Sequence, residues 1–257
     1  MSLSPHRRAA DEPPRMGMWV KIPAIETVEM IALTGYDFVV IDLEHGPMTL
    51  ESCYRAIVVA QSRGLTALVR VPDSSGGLTQ RVLDMGADGL LVPHVTSPTV
   101  AAEAVAGMLF PPEGRRGLGT TSRAGSWGLE STSAYLEHSR TVLRIPQIED
   151  PEAVDAAADI CGVDGVNAVL LGLGDLTLAL GRPATDPAVE AMVDRVLAAA
   201  AEADIPCGTA VRGAEAAARA ADRGFDFVVL GNDATLFGDA ARGLVTSARD
   251  LLSAGRP

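Results

Sequence analysis

From Gly17 onward, short apolar runs alternate with longer segments in which apolar residues recur at the spacing of an amphipathic helix. The short runs are rich in Val, Ile and Leu without strict alternation, which is typical of parallel strands buried on both faces. They predict eight strands, near positions 18–22, 38–42, 67–71, 89–95, 142–148, 168–172, 206–211 and 227–230. The intervening segments predict helices at 25–34, 50–63, 78–85, 98–108, 151–160, 187–203 and 214–223.

A recurrent phrase introduces four of these strands: GYDFVVID, GADGLLVP, GVNAVLLG and GFDFVVLG. Its glycine can take the left-handed conformation that ends a helix, and its apolar residues then enter a strand. Eight strands, each followed by helical sequence, predict an α/β fold, a (β/α)8 TIM barrel, which needs about 250 residues. A doubly wound sheet is the alternative. It is disfavoured because no GxGxxG follows the first strand and no domain break interrupts the eight units.

Composition narrows the class of protein. The 257 residues, 47% of them hydrophobic, can bury one large core, which predicts a single barrel domain over residues 17–257. Residues 1–16 are polar and contain prolines, which predicts a disordered tail. We expect neither a membrane span nor an export signal, because no apolar run reaches 18 residues. A net charge of -12 argues against nucleic acid as a partner. Three isolated cysteines suit a reduced, cytoplasmic protein better than a disulfide framework.

Charged and polar residues stand at the ends of the predicted strands, where a TIM barrel carries its chemistry. Such groups at the tips of apolar strands are costly unless they are paired or liganded. They are Asp42, Glu44 and His45 after the second strand, Arg70 on the third, Gln147 and Glu149 on the fifth, and Asp175 after the sixth.

Glu149 and Asp175 follow neighbouring strands, in IPQIED and GLGDL, so both carboxylates can reach one point. Two carboxylates with open positions for water and substrate suit a hard divalent cation such as Mg²⁺ or Mn²⁺. No His/Cys pattern fits tetrahedral zinc. The alternative is structural: Asp175 caps the following helix, and Glu149 pairs with an arginine.

Among the four histidines, His45 alone has acidic neighbours at a strand end, and a carboxylate beside an imidazole raises its basicity. A satisfied core or surface histidine is the alternative, and Glu44 can instead form a salt bridge. Arg70 must meet anionic charge, either a protein carboxylate or a ligand oxyanion. His94, at the end of the fourth strand, could line the pocket.

Two further features bear on function. The long loop at positions 111–128 carries Arg115, Arg116 and Arg123, and predicts a lid, a subunit contact or simply a solvated loop. Lys21 is the only lysine of the chain, so Schiff-base chemistry has a single candidate, without an activating neighbour in sequence. Metal-based chemistry is therefore favoured.

The ordered set FVVIDLEHGP, LVRVP, LDMGADGLLVP, PPEGRRGLG…SRAGSW, PQIED and GLGDL resembles the HpcH/HpaI aldolase family, the metal-dependent class II pyruvate aldolases, over nearly the whole chain. The resemblance implies a phosphoenolpyruvate-type barrel, a homohexamer with exchanged C-terminal helices and a divalent ion (Mg²⁺, Mn²⁺ or Co²⁺), with no organic cofactor. It also implies small-molecule substrates: a 4-hydroxy-2-oxo acid cleaved reversibly, through a metal-stabilised enolate, to pyruvate, or an analogue such as hydroxypyruvate, and an aldehyde.

The resemblance further implies roles at the matching positions. His45 would be the base, tuned by Asp42 and by Asp84 of LDMGAD, and Arg70 would stabilise the transition state. Glu149 and Asp175 would hold the metal, and Gln147 would contact pyruvate. The pyruvate carboxylate would lie against Gly172, Leu173, Gly174 and Asp175. Trp19, Val211 and the loop at positions 111–128, called the arginine loop below, would contact the aldehyde.

Two positions depart from the family's pattern. The family's usual GPADL is GLGDL here, which keeps Asp175 but changes two residues of the expected carboxylate pocket. His94 stands where methionine is common, which could alter substrate preference. The alternative functions are an acyl-CoA lyase of the citrate lyase β type, an oxaloacetate decarboxylase and a non-catalytic barrel that binds a keto acid.

Overall fold

The computed structural model describes residues 3, 6–9, 11–74 and 76–254. Eight parallel strands close into one barrel in chain order, with the first strand paired to the eighth, so the predicted TIM barrel is confirmed. The strands are β1 Arg15–Val20, β2 Phe38–Asp42, β3 Thr66–Arg70, β4 Gly89–Val92, β5 Leu143–Ile148, β6 Val169–Leu171, β7 Cys207–Val211 and β8 Phe227–Asn232.

Helices surround the barrel and connect its strands. They are α1 Ile25–Ala32, α2 Leu50–Ser62, α3 Gly76–Asp84, α4 Pro98–Met108, α5 Thr132–Arg140, α6 Pro151–Asp155, α7 Ala157–Cys161, α8 Leu173–Leu180, α9 Pro187–Glu202, α10 Ala214–Arg223 and α11 Asp233–Ala254. The helix predicted at 151–160 is two short helices, because the backbone leaves helical geometry at Ala156. None of the described helices is long and apolar enough to cross a membrane.

Side chains on each strand alternate between two apolar layers. Residues such as Phe38, Val40, Leu68 and Phe227 fill the barrel interior. Their neighbours on the strands, such as Val39 and Ile41, pack against the surrounding helices. Two interior positions must be glycine: a Cβ on Gly17 would lie 2.1 Å from the Phe38 ring, and one on Gly208 would lie 2.0 Å from the Phe227 ring.

The N-terminal segment contacts the bottom of the barrel, at the N-terminal ends of the strands. Leu3 is buried, and its N–H donates to Thr66 Oγ1 at 3.0 Å. Arg8 donates to the carbonyls of Phe225 at 3.0 Å and Ala221 at 2.8 Å. The prediction of a tail without a role in the fold is therefore wrong for these residues, and β1 already begins at Arg15. Positions 1, 2, 4, 5 and 10 of that segment, and 75 and 255–257 of the predicted domain, lie outside the described residues.

Candidate active site

Strand alternation brings the predicted polar residues to the inner surface of the barrel. On β2, Phe38 and Val40 face the interior, so Asp42 follows them on the same face. Leu68 places Arg70 in the same way on β3. On β5, Leu143 and Ile145 face inward, and Gln147 and Glu149 continue that series. Because all of them stand at carboxyl ends of parallel strands, they meet at one rim.

Asp42 is fully buried and is neutralised by two cations. Arg70 donates through Nε to Oδ1 at 3.0 Å and through Nη2 to Oδ2 at 2.7 Å, a two-pronged pairing that fixes both groups. Lys21 Nζ contacts Oδ2 as well. The indole of Trp19 lies against the guanidinium of Arg70, 4.3 Å from ring centroid to Cζ. The sole lysine is thus held as the partner of a carboxylate.

Burial and the contacts with Arg70 and Lys21 act on the pKa of Asp42 in opposite directions. Burial by itself would raise it, but the hydrogen bonds and positive charges of Arg70 and Lys21 outweigh burial and lower the pKa of Asp42 to about 2. The carboxylate is therefore ionised throughout the neutral range, and it holds Arg70 at the rim.

His45 lies at the mouth of the pocket, with its side chain 61% exposed. Asp42 accepts the main-chain N–H of His45 at 3.2 Å, so it positions the residue through the backbone. The expected contact between the Asp42 carboxylate and the imidazole does not form, because Arg70 and Lys21 occupy that carboxylate. The nearer acid is Glu44, whose Oε2 is 3.7 Å from Nε2.

Glu44 is nearly buried and lies between two groups. Its Oε2 is 3.1 Å from Arg70 Nη1, and its Oε1 is 3.2 Å from His94 Nε2. Glu44 therefore connects the Asp42–Arg70 pair to the other side of the pocket.

Glu149 is the central group of that other side. Gln147 Nε2 donates to its Oε2, and the main-chain N–H of His94 donates to its Oε1 at 2.7 Å. Burial raises the pKa of Glu149; the contacts with His94 oppose this, whereas the negative charges of Asp175 and Glu44 add to it. Unlike Asp42, Glu149 forms no ion pair with a lysine or an arginine among the residues that the structure describes.

Asp175 is exposed in the first turn of α8, close enough to Glu149 for its charge to act on that carboxyl group. Gly172 precedes the helix and allows a close approach, since a Cβ there would lie 2.7 Å from Glu149 Cβ and 2.9 Å from Gln147 Nε2. The Asp175 side chain does not cap α8. The structural alternative predicted for this residue, a helix cap, is therefore wrong.

A cavity of about 500 Å³ opens between these two sides. Its lining includes most of the predicted substrate contacts, namely Trp19, His45, Arg70, Gln147, Gly172, Leu173, Gly174, Asp175 and Val211. Sequence reasoning missed Arg212 and Asn232, which also line it, and treated Lys21 only as a nucleophile. Strand alternation could have found Lys21 and Arg212, since they stand two residues beyond the inward-facing Trp19 and Ala210.

The residues fit a divalent cation with few protein ligands. In the described part of the chain, no group of three or more His, Cys, Asp or Glu side chains is arranged to hold a metal ion. Mg²⁺ commonly binds through one or two carboxylates and completes its shell with water and substrate. The pair Glu149 and Asp175 offers that donor set, and Gln147 Oε1 is a buried oxygen without a partner among the described residues.

The structure does not bring Asp84 to His45, so that prediction is wrong within one chain. Asp84 ends α3, and a helix that follows a strand returns to the opposite face of the barrel. There it accepts from Arg116 at 2.7 Å and from Tyr135 at 3.3 Å. The arginine loop lies at that face too, with Arg123 bound to the Met85 carbonyl. It is not a lid over the pocket of its own chain, nor a wall for the aldehyde there.

Fold and rim together define a class: a TIM-barrel enzyme whose rim carries two neighbouring carboxylates, Glu149 and Asp175, that suit a divalent cation. Comparison with known proteins agrees, since the family model described as HpcH/HpaI aldolase/citrate lyase matches residues 15–240. The chain belongs to this family and is a lyase, so the resemblance seen in the motifs is confirmed.

Individual relatives are similar over most of their length. A hydroxypyruvate/pyruvate aldolase of Delftia acidovorans is 33% identical over 231 residues, which cover 89% of this chain and 86% of the relative. A 2-keto-3-deoxy-L-rhamnonate aldolase of Escherichia coli K12 is 30% identical, with 88% and 85% covered. The crystal structure of a family protein from Burkholderia cenocepacia has a TM-score of 0.87 and 29% identity, covering 95% of this chain and 96% of that one.

Proposed function

We propose that this chain is a metal-dependent aldolase that reversibly cleaves 4-hydroxy-2-oxo acids to an aldehyde and pyruvate, or a close analogue such as hydroxypyruvate. One observation carries the proposal: Asp175 lines the same cavity as Arg70, which Asp42 fixes, and Glu149 lies directly behind the cavity wall, bonded to the lining residue Gln147 and close enough to Asp175 for the two charges to interact. The Delftia relative is named for the same two keto acids, which supports this substrate class.

Glu149 and Asp175 would hold the cation, which we propose to be Mg²⁺, Mn²⁺ or Co²⁺. When bound, it would supply Lewis-acid stabilisation of the negative charge that develops on the 2-oxo acid, worth several kcal/mol. The keto acid's own carboxylate can lie at the N-terminus of α8, near Gly172, Leu173 and Gly174, where main-chain N–H groups attract anions.

The remaining residues move the proton and stabilise charge. His45 is exposed at the mouth and is the group available to take a proton from C3, a step that contributes about 10²- to 10⁴-fold. Arg70 keeps its guanidinium at the rim and would stabilise the oxyanion formed when the new carbon–carbon bond closes. Trp19 and Val211 would contact the aldehyde half.

Deuterium exchange at C3 tests the proton-removal step without any aldehyde. In D2O the metal-loaded protein should deuterate pyruvate, and chelation should abolish the exchange. His45→Asn should lose exchange but keep Mn²⁺ binding, whereas His138→Asn, at an exposed position on α5, should keep both. Exchange that survives complete removal of metal would refute the proposal.

Two further assays separate the alternative reactions. Decarboxylation of oxaloacetate without aldol cleavage would favour a decarboxylase. Cleavage of acyl-CoA esters would favour the citrate lyase type, which needs a basic groove for the CoA phosphates. The cavity supports that reading poorly, because carboxylates already pair with two of its three basic residues, Lys21 and Arg70.

We further propose a cytoplasmic homohexamer with exchanged C-terminal helices. Helix α11 has 22 residues, of which the structure buries Asp233 alone, and its apolar side chains include Leu236, Phe237, Leu244, Leu251 and Leu252. A long exposed apolar face of this kind fits coverage by another copy. Such an assembly could also bring Asp84 close to the His45 of a neighbouring copy. Light scattering coupled to size exclusion should give six chains for the full chain and fewer after removal of α11.

A further inference from the structure

His94, two residues beyond the end of β4, has a backbone conformation that the alternation of that strand does not predict. Leu91 faces the barrel interior, so strict alternation would turn His94 toward the helices. Instead its φ is +57°, in the left-handed region, which is uncommon for any residue but glycine. Residues held in such strained conformations cluster at functional sites.

The consequence of this conformation is that one residue contacts Glu149 twice. The main-chain N–H of His94 donates to Glu149 Oε1 at 2.7 Å. The Nδ1 atom of the same residue lies 3.1 Å from the same oxygen. Gln147 holds the other oxygen, Oε2, so both ends of the carboxylate are restrained.

The imidazole also reaches the other side of the pocket. Its Nε2 lies 3.2 Å from Glu44 Oε1, and Glu44 is in turn 3.1 Å from Arg70. His94 thus lies between Glu149, the proposed metal ligand, and Glu44, which contacts Arg70. Its side chain is nevertheless 72% exposed, so burial of apolar surface does not explain the strained conformation.

We propose that His94 is a positioning residue, which fixes Glu149 in the orientation that binds the divalent ion. This inference rests on the proposed function, since it takes Glu149 as a metal ligand. Each carboxylate oxygen has two lone pairs. Gln147 uses one of those on Oε2, which leaves the other for the ion, whereas His94 holds Oε1 through both its main-chain N–H and Nδ1. Groups that orient a metal ligand in this way commonly contribute 10- to 100-fold to metal affinity.

The test measures Mn²⁺ affinity by calorimetry on metal-free protein, which needs no substrate or turnover. His94→Gly keeps the main-chain N–H and accepts a positive φ, and His94→Asn tolerates the same backbone. Both should weaken Mn²⁺ binding about 10- to 100-fold while the metal-free Tm stays unchanged or rises. His138→Asn, an exposed histidine far from the rim, should leave the Kd unchanged.

A second readout separates positioning from contact with substrate. At Mn²⁺ concentrations well above the raised Kd, kcat of His94→Gly should recover to within a few fold of the unmodified protein. A Kd within twofold of the unmodified value, or a tighter one, overturns the inference while the proposed function stands. The absence of Mn²⁺ binding by the unmodified protein would instead overturn the proposed function, and this inference with it.

Discussion

The pKa values of the buried carboxylates on the two sides of the pocket shift in opposite directions. On the side of β2 and β3, Asp42 has two cations in direct contact, and its pKa falls to about 2 despite burial. On the side of β5 and β6, burial raises the pKa of Glu149, the contacts with His94 oppose the rise only in part, and the charges of Asp175 and Glu44 add to it.

This difference shows which half of the site is complete within the chain. The Asp42 side contains the charges that its carboxylate needs, so its geometry is set by folding alone. The Glu149 side has more negative than positive charge, and burying a carboxylate without a strong partner is costly. It is the side that gains when a cation from outside binds. Substitutions on the two sides should therefore differ in what they damage.

The largest effect is expected from Glu149→Gln. It removes a proposed metal ligand, so the Lewis-acid contribution of several kcal/mol should be lost, and kcat/KM should fall by at least about 10³-fold. Stability of the metal-free protein should not fall, because the neutral amide removes a carboxyl group whose ionisation burial disfavours. Calorimetric Mn²⁺ titration and thermal unfolding measure the two quantities. Glu152→Gln, at an exposed position on α6, is the matched control.

Arg70→Ala should mainly lower the stability of the folded protein. It leaves the buried Asp42 with Lys21 alone, and breaking a buried ion pair typically costs about 3 to 5 kcal/mol. Urea unfolding should show that loss, with little change in the Mn²⁺ affinity of whatever fraction remains folded. Arg55→Ala breaks an exposed pair on α2 and should cost less than about 1 kcal/mol. Equal losses in the two variants would contradict the view that Asp42 depends on Arg70.

Acid should weaken the Asp42 side by an intermediate amount. Its pKa is about 2 in the folded state against 3.8 for the free group, so the carboxylate stabilises the fold fully above pH 4. That contribution, about 2 kcal/mol, should be lost as the pH falls from 4 toward 2. Unfolding free energies across this range should depend less steeply on pH in Asp42→Asn than in Asp155→Asn, whose acid is exposed.

The smallest effect is expected at Lys21. Lys21→Met leaves Asp42 with both prongs of Arg70, so the variant should remain folded and keep Mn²⁺ binding. Because the amine is paired with Asp42 and is not free to attack a carbonyl, pyruvate and borohydride should leave the mass of the protein unchanged. A reduced adduct on this lysine would show that the Asp42 pairing does not keep the amine from reacting.

Much of this architecture could be predicted from the sequence. Apolar runs and Gly-Asp turns located all eight strands, and inward-facing positions on β2, β3 and β5 supplied Asp42, Arg70, Gln147 and Glu149. These predictions succeeded because alternation on a strand is local. The predicted contact of Asp84 with His45 and the predicted disordered tail failed because they depend on non-local structure. The position of Asp84 depends on where α3 ends in space, and the contacts of Arg8 join residues more than 200 positions apart.

The barrel, the rim and the residue types at the rim follow from the order of amino acids alone, because strand and helix periods depend on near neighbours. Which carboxylate each cation neutralises was decided only by the tertiary structure. Lys21, Asp42 and Arg70 meet because three separate strands end side by side, and His94 reaches Glu149 because a single left-handed residue turns its chain inward. Charge pairing across strands depends on distances in space, which the order of residues along the chain does not encode locally.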